Sequence, residues 1–158
     1  MSATWVAMTW LHQVSIVVVL GYYATLALVV LPVLGRTLDG AALGRSIALV
    51  GRRSRPLLIT TIVVFVVSGT YLLLSAGRYD GLGNLFASTW TVLLTVKHLL
   101  VLLMIVIAIG VDRLSASMAR VAGDEARRTA LGMLGLAVQG MTILGLLVLL
   151  LTAAAQGS

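Results

Sequence analysis

In this chain of 158 residues, 60% are hydrophobic and only 10% charged, whereas about a quarter of a soluble domain's residues carry charge. The absence of cysteine excludes disulfides, thiolate metal centres and cysteine nucleophiles. The formal net charge of +6 comes mainly from short basic loops between apolar runs, a pattern that membrane topology explains better than nucleic-acid binding does.

The composition predicts an all-α integral membrane protein of one domain, residues 1–158, with four spans. The first runs from about Trp5 to Leu34. It is long for the roughly 20 residues that cross a bilayer, and Pro32 is expected to end it. No Lys or Arg precedes this run, which is also too long for a signal-peptide core, so cleavage is not expected. The second span covers Pro56 to Ala76, with Pro56 suited to a first helical turn. Ahead of it, "LDGAALGRSIALVG" reads as a short interfacial helix capped by Asp39. The third span is Thr89 to Val111, and the fourth Thr129 to Ala154 with Asp124 as its expected N-cap.

Charge orients the spans. The first loop carries Arg36, Arg45, Arg52, Arg53 and Arg55 against Asp39, and the third carries Arg113, Arg120, Arg127 and Arg128. The middle loop has one basic residue, Arg78. The positive-inside rule then places both termini outside and the arginine loops in the cytoplasm. The result is an up-and-down four-helix transmembrane bundle in the plasma (cytoplasmic) membrane, with lipid as its surroundings.

Residues three and four apart share a helix face, and polar or small residues recur at that spacing. The first span offers Met8, His12, Ser15 and Tyr22; the second, Thr61, Ser68, Tyr71 and Ser75. The third offers Ser88, Thr91, Thr95 and His98, and the fourth Gly132, Gly135, Gln139 and Thr142. Hydroxyls and glycines of this kind let membrane helices approach closely. Ionisable groups are different, because a charge at mid-bilayer costs a few kcal/mol and normally faces the bundle interior and serves something. Lys97 lies about 13 Å inside its span at 1.5 Å per residue, far for snorkelling. His12 and His98 are the chain's two imidazoles, and both fall within apolar runs.

The stretches "WLHQVSIVVVLGYYATLALVVLP", "RRSRPLLITTIVVFVVSGTYLLL" and "LLTVKHLLVLLMIVIAIGVDRL" resemble three helices of a group of small four-helix membrane proteins. That group holds the copper-resistance protein D domain and the HemJ-type protoporphyrinogen oxidases. The resemblance extends over nearly the whole chain. It implies functional roles for a first-helix histidine and a third-helix lysine, which map onto His12 and Lys97.

Three functions are open at this point. The first is a redox site, a b-type haem bound by His12, His98, Lys97 and Tyr22, used for electron transfer or porphyrin-related chemistry with Lys97 as the candidate catalytic residue. The second is copper handling through Met8, His12 and His98, since thioether and imidazole suit Cu(I). The third is a non-catalytic subunit of a larger membrane complex or a homo-oligomer. The spacing leaves open whether the two histidines act at one site. Nucleotide and hydrolytic chemistry find no motif: "GLGNLF" lacks a P-loop lysine, and all five acids are expected in loops. The topology is testable by single cysteine substitutions in intact cells. An impermeant thiol reagent should label positions 2, 84 and 158 and spare 46 and 117, and labelling at 46 from outside would reverse the orientation.

Overall fold

The computed structural model describes residues 2–75 and 88–156. Within them the chain is entirely helical, and four helices are long and apolar enough to cross a membrane. The first is a continuous helix from Ala3 to Thr37. It comprises α1 (Ala3–Thr25), one wide π-type turn (Leu26–Val30) and α2 (Leu31–Thr37). Ser2 caps it, its hydroxyl accepting from the Trp5 amide at 3.2 Å.

Pro32 does not end this helix. A proline ring clashes with the carbonyl four residues earlier and removes an amide donor. The π-turn just before Pro32 inserts one residue of slack, so that the Leu31 amide reaches back five residues to the Leu26 carbonyl. The helix therefore passes its proline.

Next comes α3 (Gly40–Ser75), one helix of 36 residues with Pro56 inside it. The expected separate interfacial helix is thus the first half of α3. Leu43, Gly44 and Ile47 are buried, so this first half packs into the core, and the helix continues through the proline. Asp39 caps through its backbone, its carbonyl accepting from Ala42 at 3.0 Å.

In α4 (Thr89–Ser117) a reciprocal Ser88–Thr91 capping box opens the helix. A 3₁₀ turn, Met118–Arg120, follows, and then α5 (Asp124–Gln156). Asp124 is the first helical residue of α5 and not its cap. That position falls to Gly123, whose φ of +85° needs a glycine and whose carbonyl accepts from Arg127 at 3.2 Å.

α1 packs along α3 and α5, and α4 packs along the same two helices, so the order around the bundle is α1, α3, α4, α5. One end carries both termini. The other, the arginine end, carries the two turns 38–39 and 118–123. Burial is concentrated there, around Tyr23, Leu26, Leu43, Val111, Met118 and Leu134. By contrast, residues 89–110 of α4 contribute no buried side chain. The bundle is tight at the arginine end and loose toward the termini.

Two close approaches set the tight end. Arg127 donates from Nη2 to the Val121 carbonyl at 2.9 Å and pairs through Nη1 with Asp124 at 3.0 Å. The same Nη1 lies 3.3 Å from where a Cβ on Gly40 would stand, so the guanidinium joins the two turns. At Gly44 a Cβ would come within 2.5 Å of the Met118 carbonyl oxygen. Backbone cannot yield there as a side chain would. Gly44→Ala should therefore cost about 1–3 kcal/mol by overpacking. Gly132→Ala, where nothing lies within 4 Å, should be neutral or gain up to about 1 kcal/mol of helix propensity. Thermal unfolding of detergent-solubilised variants measures both, and equal melting of the two would contradict this packing.

Candidate functional site

His12 lies nine residues past the start of α1 at Ala3, and His98 nine past the start of α4 at Thr89. Both are therefore roughly 13 Å into their helices at 1.5 Å per residue. Lys97 is one residue short of that level. The structure thus brings the three ionisable groups to one depth in the loose half of the bundle.

Their orientations differ. The His12 ring stacks on Phe65 of α3, centroids 4.3 Å apart and planes 17° from parallel. Its Nδ1 lies 3.2 Å from both the Phe65 carbonyl and Ser68 Oγ. A carbonyl can only accept. Ser68 gives its single proton to the Val64 carbonyl at 2.6 Å, so its oxygen also accepts. Nδ1 must then carry the hydrogen, which leaves Nε2 of the neutral ring as a lone pair. Gly69 makes the approach possible, since a Cβ there would stand 2.9 Å from His12 Cε1.

Lys97 is partly buried on the α4 face that continues as Val101, Met104, Ala108, Val111 and Ser115. That face looks into the bundle, and among the described residues Lys97 has no hydrogen-bond or ion-pair partner. His98 is turned about 100° from it, as neighbours on a helix must be. Its side chain is exposed, with Nδ1 bonded 2.7 Å to the Leu94 carbonyl of its own helix. The Ser88-Thr91-Thr95-His98 seam is therefore a flank of α4, and the inward face belongs to Lys97.

Other expected residues lie elsewhere. Met8 is half-buried one turn from His12, and no group of three His, Asp or Glu gathers among the described residues. Tyr22 sits ten residues along α1 from His12, roughly 15 Å, where its hydroxyl bonds Ser54 Oγ at 2.9 Å. It belongs to the arginine end. So does Asp112, which is helical and pairs with Arg55 at 2.8 Å. Both side chains of that pair are well exposed, so its contribution is about 0.2–1 kcal/mol. The Gly132-Gly135-Gln139-Thr142 seam of α5 is a second departure. Gly132 and Gln139 are exposed, and the buried face is Ala130, Leu134, Val138, Met141, Gly145 and Val148.

Below the His12–Lys97 level, toward the arginine end, the four long helices line a partly open cavity of about 60 Å³ with almost wholly apolar walls. Ser15, Phe65, Val101 and Val148 line its top, and Tyr23, Ala108 and Met141 its far end. Ser15 adds no free donor, because its hydroxyl is bonded to the Leu11 carbonyl at 2.8 Å. Phe65 touches both places, as cavity wall and as the ring under His12. A phenylalanine in an apolar run carries no signal in the sequence by itself. Ser68 was legible as a seam residue, but not as a partner of His12.

No known family's sequence profile matches the chain, and no curated protein or solved structure shows significant similarity to it. The ring assignment is checkable by ¹⁵N NMR of histidine-labelled protein. Neutral His12 should show Nδ1 protonated and Nε2 bare, and Gly69→Val should perturb that signal while leaving the His98 signal unmoved. An Nε2-protonated His12 would overturn the assignment.

Proposed function

We propose that the chain is a small multi-pass protein of the cytoplasmic membrane, termini outside, whose activity lies in an intramembrane site formed by His12 and Lys97. The site binds an apolar-bodied molecule that carries an acidic group. The observation that carries this reading is Lys97: an ammonium on the inward face of α4, with no counter-charge among the described residues and an apolar cavity beside it. An unpaired charge in such a place is expensive, and an acidic ligand removes the cost. His12 stands at the same depth with its Nε2 lone pair open, ready to accept a proton or a hydrogen bond from that ligand. Lys97 acts here as a binding residue.

The redox reading divides on fit. Donor chemistry favours a b-type haem: an imidazole whose Nδ1–H is held by a backbone carbonyl is the usual form of a metal-ligating histidine, and Lys97 would take a propionate. Space does not favour it. The apolar space between the helices is about 60 Å³, far short of a macrocycle, and His98 is turned to the flank of α4. A porphyrin does not fit the bundle, so no step is assigned to one. Copper binding rests on Met8 and His12 alone, two donors one turn apart. A subunit role without chemistry leaves the unpaired lysine unexplained.

Protein purified in a neutral detergent tests the proposal. Extraction of the wild type should release an acidic amphiphile that is absent from extracts of Lys97→Met, with both proteins equally folded. Identical extracts would remove the proposal. Oxidised and reduced absorption spectra, recorded after expression with ample haem, separate the redox reading. A Soret band lost in His12→Ala and kept in His98→Ala would replace the amphiphile with haem.

A further inference from the structure

We infer that the ligand of the His12–Lys97 site is a single-chain organic acid, its carboxylate on Lys97 and the end of its alkyl chain in the cavity below. This rests on the reading of Lys97 as an anion-binding group and adds the identity of the body attached to the anion.

Three features select a slim unbranched chain. The first is continuity. Phe65 forms one wall of the cavity and also carries the His12 ring, while Val101, at the cavity's top, lies one turn from Lys97 on the same face of α4. Head site and cavity therefore share walls. The second is shape. The α1 lining runs from Ser15 to Tyr23, roughly 12 Å at 1.5 Å per residue, yet the volume is only about 60 Å³. At that length and volume the space is narrow throughout, which suits a single unbranched chain in file. A two-chain lipid, a sterol or an aromatic ring is too wide. The third is chemistry. The walls offer almost no polar surface, so water has no partners there, and an alkyl group is the occupant that such walls favour.

Gly145 shows how closely the passage is built. A Cβ there would lie 2.8 Å from Leu20 Cδ1 and 3.7 Å from Met104 Cε. The bare glycine lets those two flexible side chains define the width.

Native mass spectrometry of protein released from a neutral detergent tests the inference with octanoate, 1-octanol and acetate as probes. Octanoate should give a one-to-one adduct; 1-octanol and acetate should give at least tenfold less. Lys97→Met should reduce the octanoate adduct about tenfold or more. So should Ala108→Leu, which fills the far end of the cavity. In the wild type, affinity should rise from butanoate to octanoate by about fourfold per methylene, a measurement that depends on no variant. Octanoate and 1-octanol binding alike, indifferent to Lys97→Met, would refute the anion site itself. Lys97-dependent octanoate binding that acetate matches, or that Ala108→Leu leaves unchanged, would refute the alkyl slot alone. No adduct with any probe would refute both.

Discussion

Polar groups set among apolar side chains must find partners within the protein, and in this bundle almost all of them look to their own helix. Ser15, Thr61, Thr95, Thr142 and Thr152 each donate to the carbonyl four residues earlier. Ser54 breaks this habit by bonding also to the Tyr22 hydroxyl on α1, and so does His12. Its Nδ1–H crosses from α1 to the second lone pair of the Phe65 carbonyl and to Ser68 on α3. That one cross-helix bond, with the Phe65 stack and the clearance at Gly69, fixes the ring's tautomer and direction. It also ties α1 to α3 at the level where α4 contributes nothing buried.

The arrangement divides the molecule by packing. At the arginine end, packing is close and two arginines are paired: Arg55 with Asp112, and Arg127 with Asp124 and the Val121 carbonyl. Toward the termini, the same four helices leave space and a lysine without a counter-charge. A bundle tied firmly at one end can leave volume at the other without losing its order. Close packing and open space thus occupy different halves of the same helices.

The two prolines illustrate how local rules yield to context. Both stand inside helices, where proline is ordinarily costly. Pro32 is accommodated by the π-turn that precedes it, an adjustment within the chain itself. Pro56 is accommodated differently, at an exposed position near the arginine end, with Leu43 and Ile47 buried in the segment before it. Neither adjustment is written in the residues next to the proline. Both end at the same outcome, helices longer than the apolar run that announced them.

Much was legible in the sequence because it depends on composition and spacing along one helix. Four apolar runs, the basic turns between them and the depth of Lys97 all follow from counting residues. Which face of each helix turns inward does not, since that is decided by the neighbours. Periodicity marked polar seams on α4 and α5, but in both helices the larger apolar face won the interior: Lys97 through Ser115 on α4, Leu134 through Val148 on α5. His98 was carried outward with its seam, and Tyr22 was left a dozen or more ångströms from His12 by the helical rise alone. Phe65 and Gly69 became part of the site only through contact with another helix. Sequence determined what each helix is made of and how deep Lys97 lies. The tertiary structure decided which groups share that depth.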